Sequence, residues 1–133
     1  MNRSLLIVIV LCVIGLLSGE AFAKRAPPAE VAPVRHGDVE FRVRHHTGGG
    51  YLPGFVEAWD TSKNQQIWLR QIYVIRRNPD LEQDVQDVFV TGLKLIADRN
   101  ALEISNERGG LFELNLETLE VKTLKGRALI SVK

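Results

Sequence analysis

Three histidines, a run of carboxylates and a small aromatic set are the groups in this sequence with chemistry to offer. His36, His45 and His46 carry imidazoles, which serve as metal ligands and as acid–base groups near neutral pH. Neighbouring residues on a strand point to opposite faces, so His45 and His46 meet at one ion only if the strand has already ended and Gly48-Gly49-Gly50 lets the chain turn. The carboxylates of Asp80, Glu82 and Asp84 are spaced like the start of an EF-hand calcium loop. Val85 stands where that loop needs glycine, and Thr91 stands where it needs its last glutamate. His45, His46, Asp80, Glu82 and Asp84 are thus the metal candidates, but no zinc-ligand spacing joins them. The plainer reading is a polar strand end and a solvated acidic turn, with Arg76 and Arg77 nearby to pair with it. Ser62, Ser105 and Ser131 lack the strand–turn–helix context of a nucleophile elbow. No catalytic residue is assigned, no metal site is assigned, and no cofactor is expected.

Tyr51, Phe55 and Trp59 offer binding rather than reaction. If Ala58 points into the core, Trp59 lies on the opposite face of its strand. An exposed tryptophan near Tyr51 and Phe55 would form a binding patch. The bland alternative packs Trp59 beneath the loop over residues 47–54.

The elements that position these groups begin after an export signal. Arg3 supplies a positive start, Leu5 to Leu17 is apolar without a charge, and Ala21-Phe22-Ala23 gives the small-x-small pattern of a cleavage site. Residues 1–23 therefore read as a signal peptide. The run is shorter than the roughly 20 residues of a spanning helix, so the membrane is met only in transit. Retention as an uncleaved anchor is the alternative, but Lys24 and Arg25 follow at once, and positive charge favours the cytoplasmic side. Cys12 is the only cysteine and falls within the apolar run. The exported part then has no disulfide and must be held by its core or by partners. Arg3 and Glu20 leave together, so the net charge stays at +1. No basic stripe suggests nucleic acid. The expected destination is the periplasm or the external medium.

Residues 24–36 read as a Pro/Ala-rich linker, carried by Ala26-Pro27-Pro28-Ala29 and Ala32-Pro33. Residues 37–133 read as an all-β domain. Val39, Phe41 and Val43 alternate with charged neighbours, as on a strand wet on one face. Gln66 to Arg76 carries apolar residues on both faces, which predicts a central strand covered on both sides or one that bends and changes its buried face. Val88 to Ala97, Ala101 to Ser105, Phe112 to Leu116 and Leu119 to Thr123 predict an antiparallel meander packed on one side. Ala128 to Val132 could add an edge strand.

The stretch Ala58-Trp59-Asp60-Thr61-Ser62-Lys63-Asn64-Gln65-Gln66-Ile67-Trp68 resembles the repeat of quinoprotein-like (PQQ-type) β-propellers, which runs Ala-x-Asp-x-x-x-Gly-x-x-x-Trp. Ala58, Asp60 and Trp68 take the motif positions, and Asn64 takes the place of the glycine. The resemblance implies that Asp60 caps a turn, that Asn64 tolerates positive φ there, and that Trp68 docks between neighbouring blades. A second copy lies at Phe112 to Thr118, with Asn115 in the Asp position and no tryptophan after it. The implied fold is a small antiparallel meander equal to one to one and a half propeller blades, preceded by a signal-peptide helix. A propeller closes with roughly four to eight blades, so no cofactor site on a ring axis carries over. The chain is also similar to small exported bacterial proteins of unknown function that share Val56 to Asp60 and Asp84 to Phe89.

The expected function is that of an exported, non-enzymatic β-domain. It would bind an envelope protein or self-associate, because an unfinished set of blades leaves sheet edges to cover. The alternatives are a small metal-dependent envelope enzyme using the histidines with the acidic segment, and an accessory subunit of a quinoprotein system.

Overall fold

A computed structural model describes residues 25–132. The stretch read as a signal peptide, residues 1–23 with Cys12, lies outside the described residues. Arg25 to Pro33 carries no strand, and Arg25 lies over the Phe89 ring with 4.8 Å between guanidinium carbon and ring centroid. Strand β1 (Val34–His36) begins within the stretch read as linker.

Two open four-stranded sheets make up most of the domain. The first contains β1, β2 (Val39–Val43), β5 (Phe55–Asp60) and β6 (Gln65–Gln71), in that order. A short hairpin of β3 (His46–Thr47) and β4 (Gly50–Tyr51) is inserted between β2 and β5. The second sheet contains β8 (Val90–Ile96), β9 (Ala101–Asn106), β10 (Leu111–Asn115) and β11 (Val121–Lys125). Every pairing within these sheets is antiparallel. The described residues are thus mostly β, as the alternation predicts, and neither sheet closes into a barrel. The pairing of β7 (Val74–Arg76) with β12 (Leu129–Ser131) is parallel, which the meander pattern does not foretell. A parallel pair needs a long crossover, and here the whole second sheet provides it. Helix is limited to the single turn α1 (Gln83–Gln86) and a 3-10 turn at Ala97–Arg99 among the described residues.

Alternation decides which faces meet. Phe41 on β2, Val56 and Ala58 on β5, Leu102 and Ile104 on β9, and Phe112 and Leu114 on β10 are buried in one cluster. The two sheets therefore pack face to face, and burial of their apolar rows drives the association. Tyr73 joins this core. Its ring stacks on Phe112 at 5.3 Å, and its hydroxyl donates to the Val88 carbonyl at 2.6 Å. Burial pushes the Tyr73 hydroxyl pKa far up, so it stays protonated as the donor. The outer face of the second sheet is polar: Lys94, Glu103, Glu113 and Lys122 stand in register across it.

The segment Gln66 to Arg76 departs from the central-strand expectation and follows its alternative. Strand β6 ends at Gln71, Ile72 and Tyr73 drop into the core, and the chain restarts as β7 in another sheet. Apolar residues on both faces reflect this change of sheet, not cover on both sides. Ile67 and Leu69 remain 49% and 39% exposed, because they face away from the core on the outer side of the sheet, where Leu69 pairs with Glu57, while Trp68 turns toward the core.

Candidate functional site

The motif residues build a turn. Asp60 Oδ1 accepts from the Ser62 and Lys63 backbone N–H groups at 3.0 Å and from the Ser62 hydroxyl at 2.7 Å. The Ser62 hydroxyl, then the Lys63 amide, holds the Asp60 carboxyl below its usual range. Asn64 adopts φ 52°, and its side-chain oxygen accepts from Trp59 Nε1 at 3.3 Å. Ala58 is fully buried, and Trp68 lies against Phe41 with ring centroids 5.8 Å apart. The turn between β10 and β11 repeats this pattern. Asn115 Oδ1 accepts from the Glu117 and Thr118 amides at 2.9 Å, and Leu119 takes φ 59°. Each turn joins the third and fourth strands of its sheet.

The aromatic candidates separate. Tyr51 and Phe55 line one cavity of about 150 Å³ beside Gln71 and Val74. Tyr51 also contacts Phe89 edge-on at 5.3 Å. Trp59 is not part of that cavity. It lies on the outer face of the first sheet beneath the Arg42 guanidinium, 4.1 Å from the ring centroid. That face carries a charge network. Glu57 is 5% exposed, bonded by Arg42 Nε and Gln66 Nε2 at 2.7 Å each, with Arg44 at 3.6 Å. A carboxylate held by this many donors is committed to structure and is poorly placed to take a proton from a substrate. Sequence reasoning missed Glu57, although Arg42 and Arg44 alternating on a paired strand are its signal.

The metal candidates take separate partners. His45 Nε2 lies 3.1 Å from the Ala29 carbonyl, its ring meets Phe89 edge-on at 5.5 Å, and burial lowers its pKa. His46 lies against Tyr51 at 4.7 Å. His36 is exposed on β1. Among the described residues, no three His, Cys, Asp or Glu side chains group as a metal ion would require. Asp80 and Glu82 are exposed and Asp84 is half-buried. They decorate a loop built around Gln86, which is fully buried. Gln86 Nε2 donates to the carbonyls of Asn78, Leu81 and Glu82 at 2.9, 3.0 and 3.1 Å, and its Oε1 accepts from the Asn78 amide at 2.6 Å. Arg77 pairs with Asp87 at the end of this segment.

The outer edges of the two sheets differ. On β11, Lys122 and Lys125 flank the edge, and such charges discourage pairing with another strand. Strand β6 has no lysine and no proline over Gln65–Gln71, and Arg70 and a bulge at the Ala58/Trp59 register shift are its guards. Val74 and Leu129, opposite one another in the β7–β12 pair, are likewise exposed, at 46% and 44%.

No protein-family model matches this sequence, and no curated protein is similar to it. Among the described residues no helix is long and apolar enough to cross a membrane.

Proposed function

We propose that this chain is an exported β-domain that acts by association rather than catalysis, and that strand β6 is its associating edge. The signal peptide over residues 1–23 would deliver it to the periplasm or the external medium. The single observation that carries the reading is the contrast between β6, with exposed Ile67 and Leu69 and Arg70 as its one charge, and β11, guarded by lysines. An open edge binds an added strand through its unpaired backbone groups, and side chains on alternate positions choose the partner.

The pattern of β6 favours a second copy of this chain. Gln65-Gln66-Ile67-Trp68-Leu69-Arg70-Gln71 reads polar, polar, apolar, Trp, apolar, polar, polar. Two such strands laid antiparallel about Trp68 would set Ile67 of one copy opposite Leu69 of the other. Gln66 would face Arg70, so no like charges would be opposed.

The repeat reading supports the same conclusion. Two four-stranded antiparallel sheets, each with an Asx-capped turn between its third and fourth strands, fit two propeller-like blades. In such an arrangement the outer faces would expect further blades. Here those faces carry charge ladders, so association by the edge is favoured over association by the face.

Size-exclusion chromatography with light scattering on protein purified from exporting cells tests the proposal. A dimer is expected, reduced to monomer by Leu69→Lys without loss of the β circular dichroism spectrum. A monomer carrying a co-purified envelope protein would keep the association and remove the second copy. A clean monomer with no such partner would remove both.

A further inference from the structure

We propose that a cavity beside β12 binds a small oxyanion, a carboxylate or a phosphate. The cavity, of about 250 Å³, lies between β12 and the turn joining β9 to β10. Asn106, Arg108, Gly110, Gly126, Arg127 and Ser131 line it, over the buried side chain of Ile130.

Every polar side chain in this lining has a donor to offer, and no acidic side chain is among them. Arg108 and Arg127 are exposed, and neither has a carboxylate partner among the described residues. Glu107 is the acid next to Arg108 in the chain. It is engaged elsewhere, pairing with Arg25 and accepting from the Phe89 amide at 3.1 Å. Two guanidinium forks without an anion, at one cavity, match the planar oxygens of a carboxylate or phosphate.

The Asn106 amide supplies an independent sign. Asn106 is 5% exposed. Its Oδ1 is taken up by the amides of Arg108 at 3.1 Å and Gly110 at 2.7 Å, which fixes the side-chain amide plane. Its Nδ2 makes no hydrogen bond among the described residues and is not sealed from solvent, which leaves it open at the cavity. An oxyanion in the cavity would supply an acceptor. The glycines let the cavity walls approach closely. A methyl group at position 110 would stand 2.7 Å from Asn106 Nδ2, and one at position 126 would stand 3.1 Å from the Gly110 Cα. Gly126 also holds φ +85°, a conformation that side chains disfavour. The apolar floor at Ile130 suits a ligand with a short hydrocarbon body behind its anionic group.

Titration of isotope-labelled protein, purified from exporting cells, tests the site by amide NMR. The probes are succinate and inorganic phosphate, with sodium chloride as the ionic-strength control. The expected result is a saturable shift with at least one probe, largest at the Asn106 side-chain amide and the Gly110 and Gly126 backbone amides, and absent with chloride. Saturation by succinate identifies a carboxylate ligand, and saturation by phosphate identifies a phosphate ligand. Arg127→Gln should weaken binding about tenfold or more, the scale of one lost charge-assisted hydrogen bond. Linear, unsaturated shifts with both probes would overturn the proposal. So would shifts centred away from these three groups, which the unaltered chain reports even if the variant fails to fold.

Discussion

Asp60 and Asn115 perform the same task with different chemistry. Each accepts backbone amides two and three residues ahead, but only the carboxylate titrates. The folded pKa of Asp60 lies below the usual 3.8 because the Ser62 hydroxyl and then the Lys63 amide favour the charged form. Its contribution to stability is therefore present above the unfolded pKa and is lost as pH falls through the lower, folded value. Asp60→Asn should keep the turn, as Asn115 does at the other site, and remove this titration. Thermal unfolding followed from about pH 5 to about pH 3 should fall less steeply for the variant than for the parent chain. Equal slopes would contradict the assignment. The Asp60 and Asn64 turn was legible in the sequence because a turn is made by neighbours. Glu57 was not, because its partners Arg42, Arg44 and Gln66 come from adjoining parts of a sheet whose pairing the sequence does not display.

The acidic loop shows how an element can mislead. Its charges suggest a cation, but its geometry depends on Gln86, a neutral side chain that bonds four backbone groups. Replacing it by leucine removes the partner of those part-buried groups. Gln86→Leu should cost about 2–3 kcal/mol in urea unfolding, the range for leaving buried polar groups unpaired. The same loss should not follow from Glu82→Gln, since Glu82 is exposed. A near-neutral Gln86→Leu would show that the loop is held by other means. Strand β6 misleads in the opposite way. Its apolar residues suggest burial, yet the chain leaves the sheet at Ile72 and Tyr73, and what remains is an exposed edge. Periodicity reports which face each residue takes; it does not report where a strand changes sheets.

As a whole, the molecule is two antiparallel sheets sharing one core, tied by a parallel pair from distant parts of the chain. The second sheet was legible because its strands follow one another through short turns with clean alternation. The first was only half legible. Its strand β1 begins in a proline-rich stretch, and the β3–β4 hairpin separates β2 from its partner β5. The proposed association runs along β6, whose edge carries exposed Ile67 and Leu69. Amide hydrogen exchange at low and high protein concentration tests this most directly, because strand addition protects backbone N–H groups at the joined edge. The account predicts that amides within Gln65–Gln71 slow on concentration while those of Val121–Lys125 do not. Exchange in β6 that is independent of concentration, or protection gained at β11 instead, would contradict it.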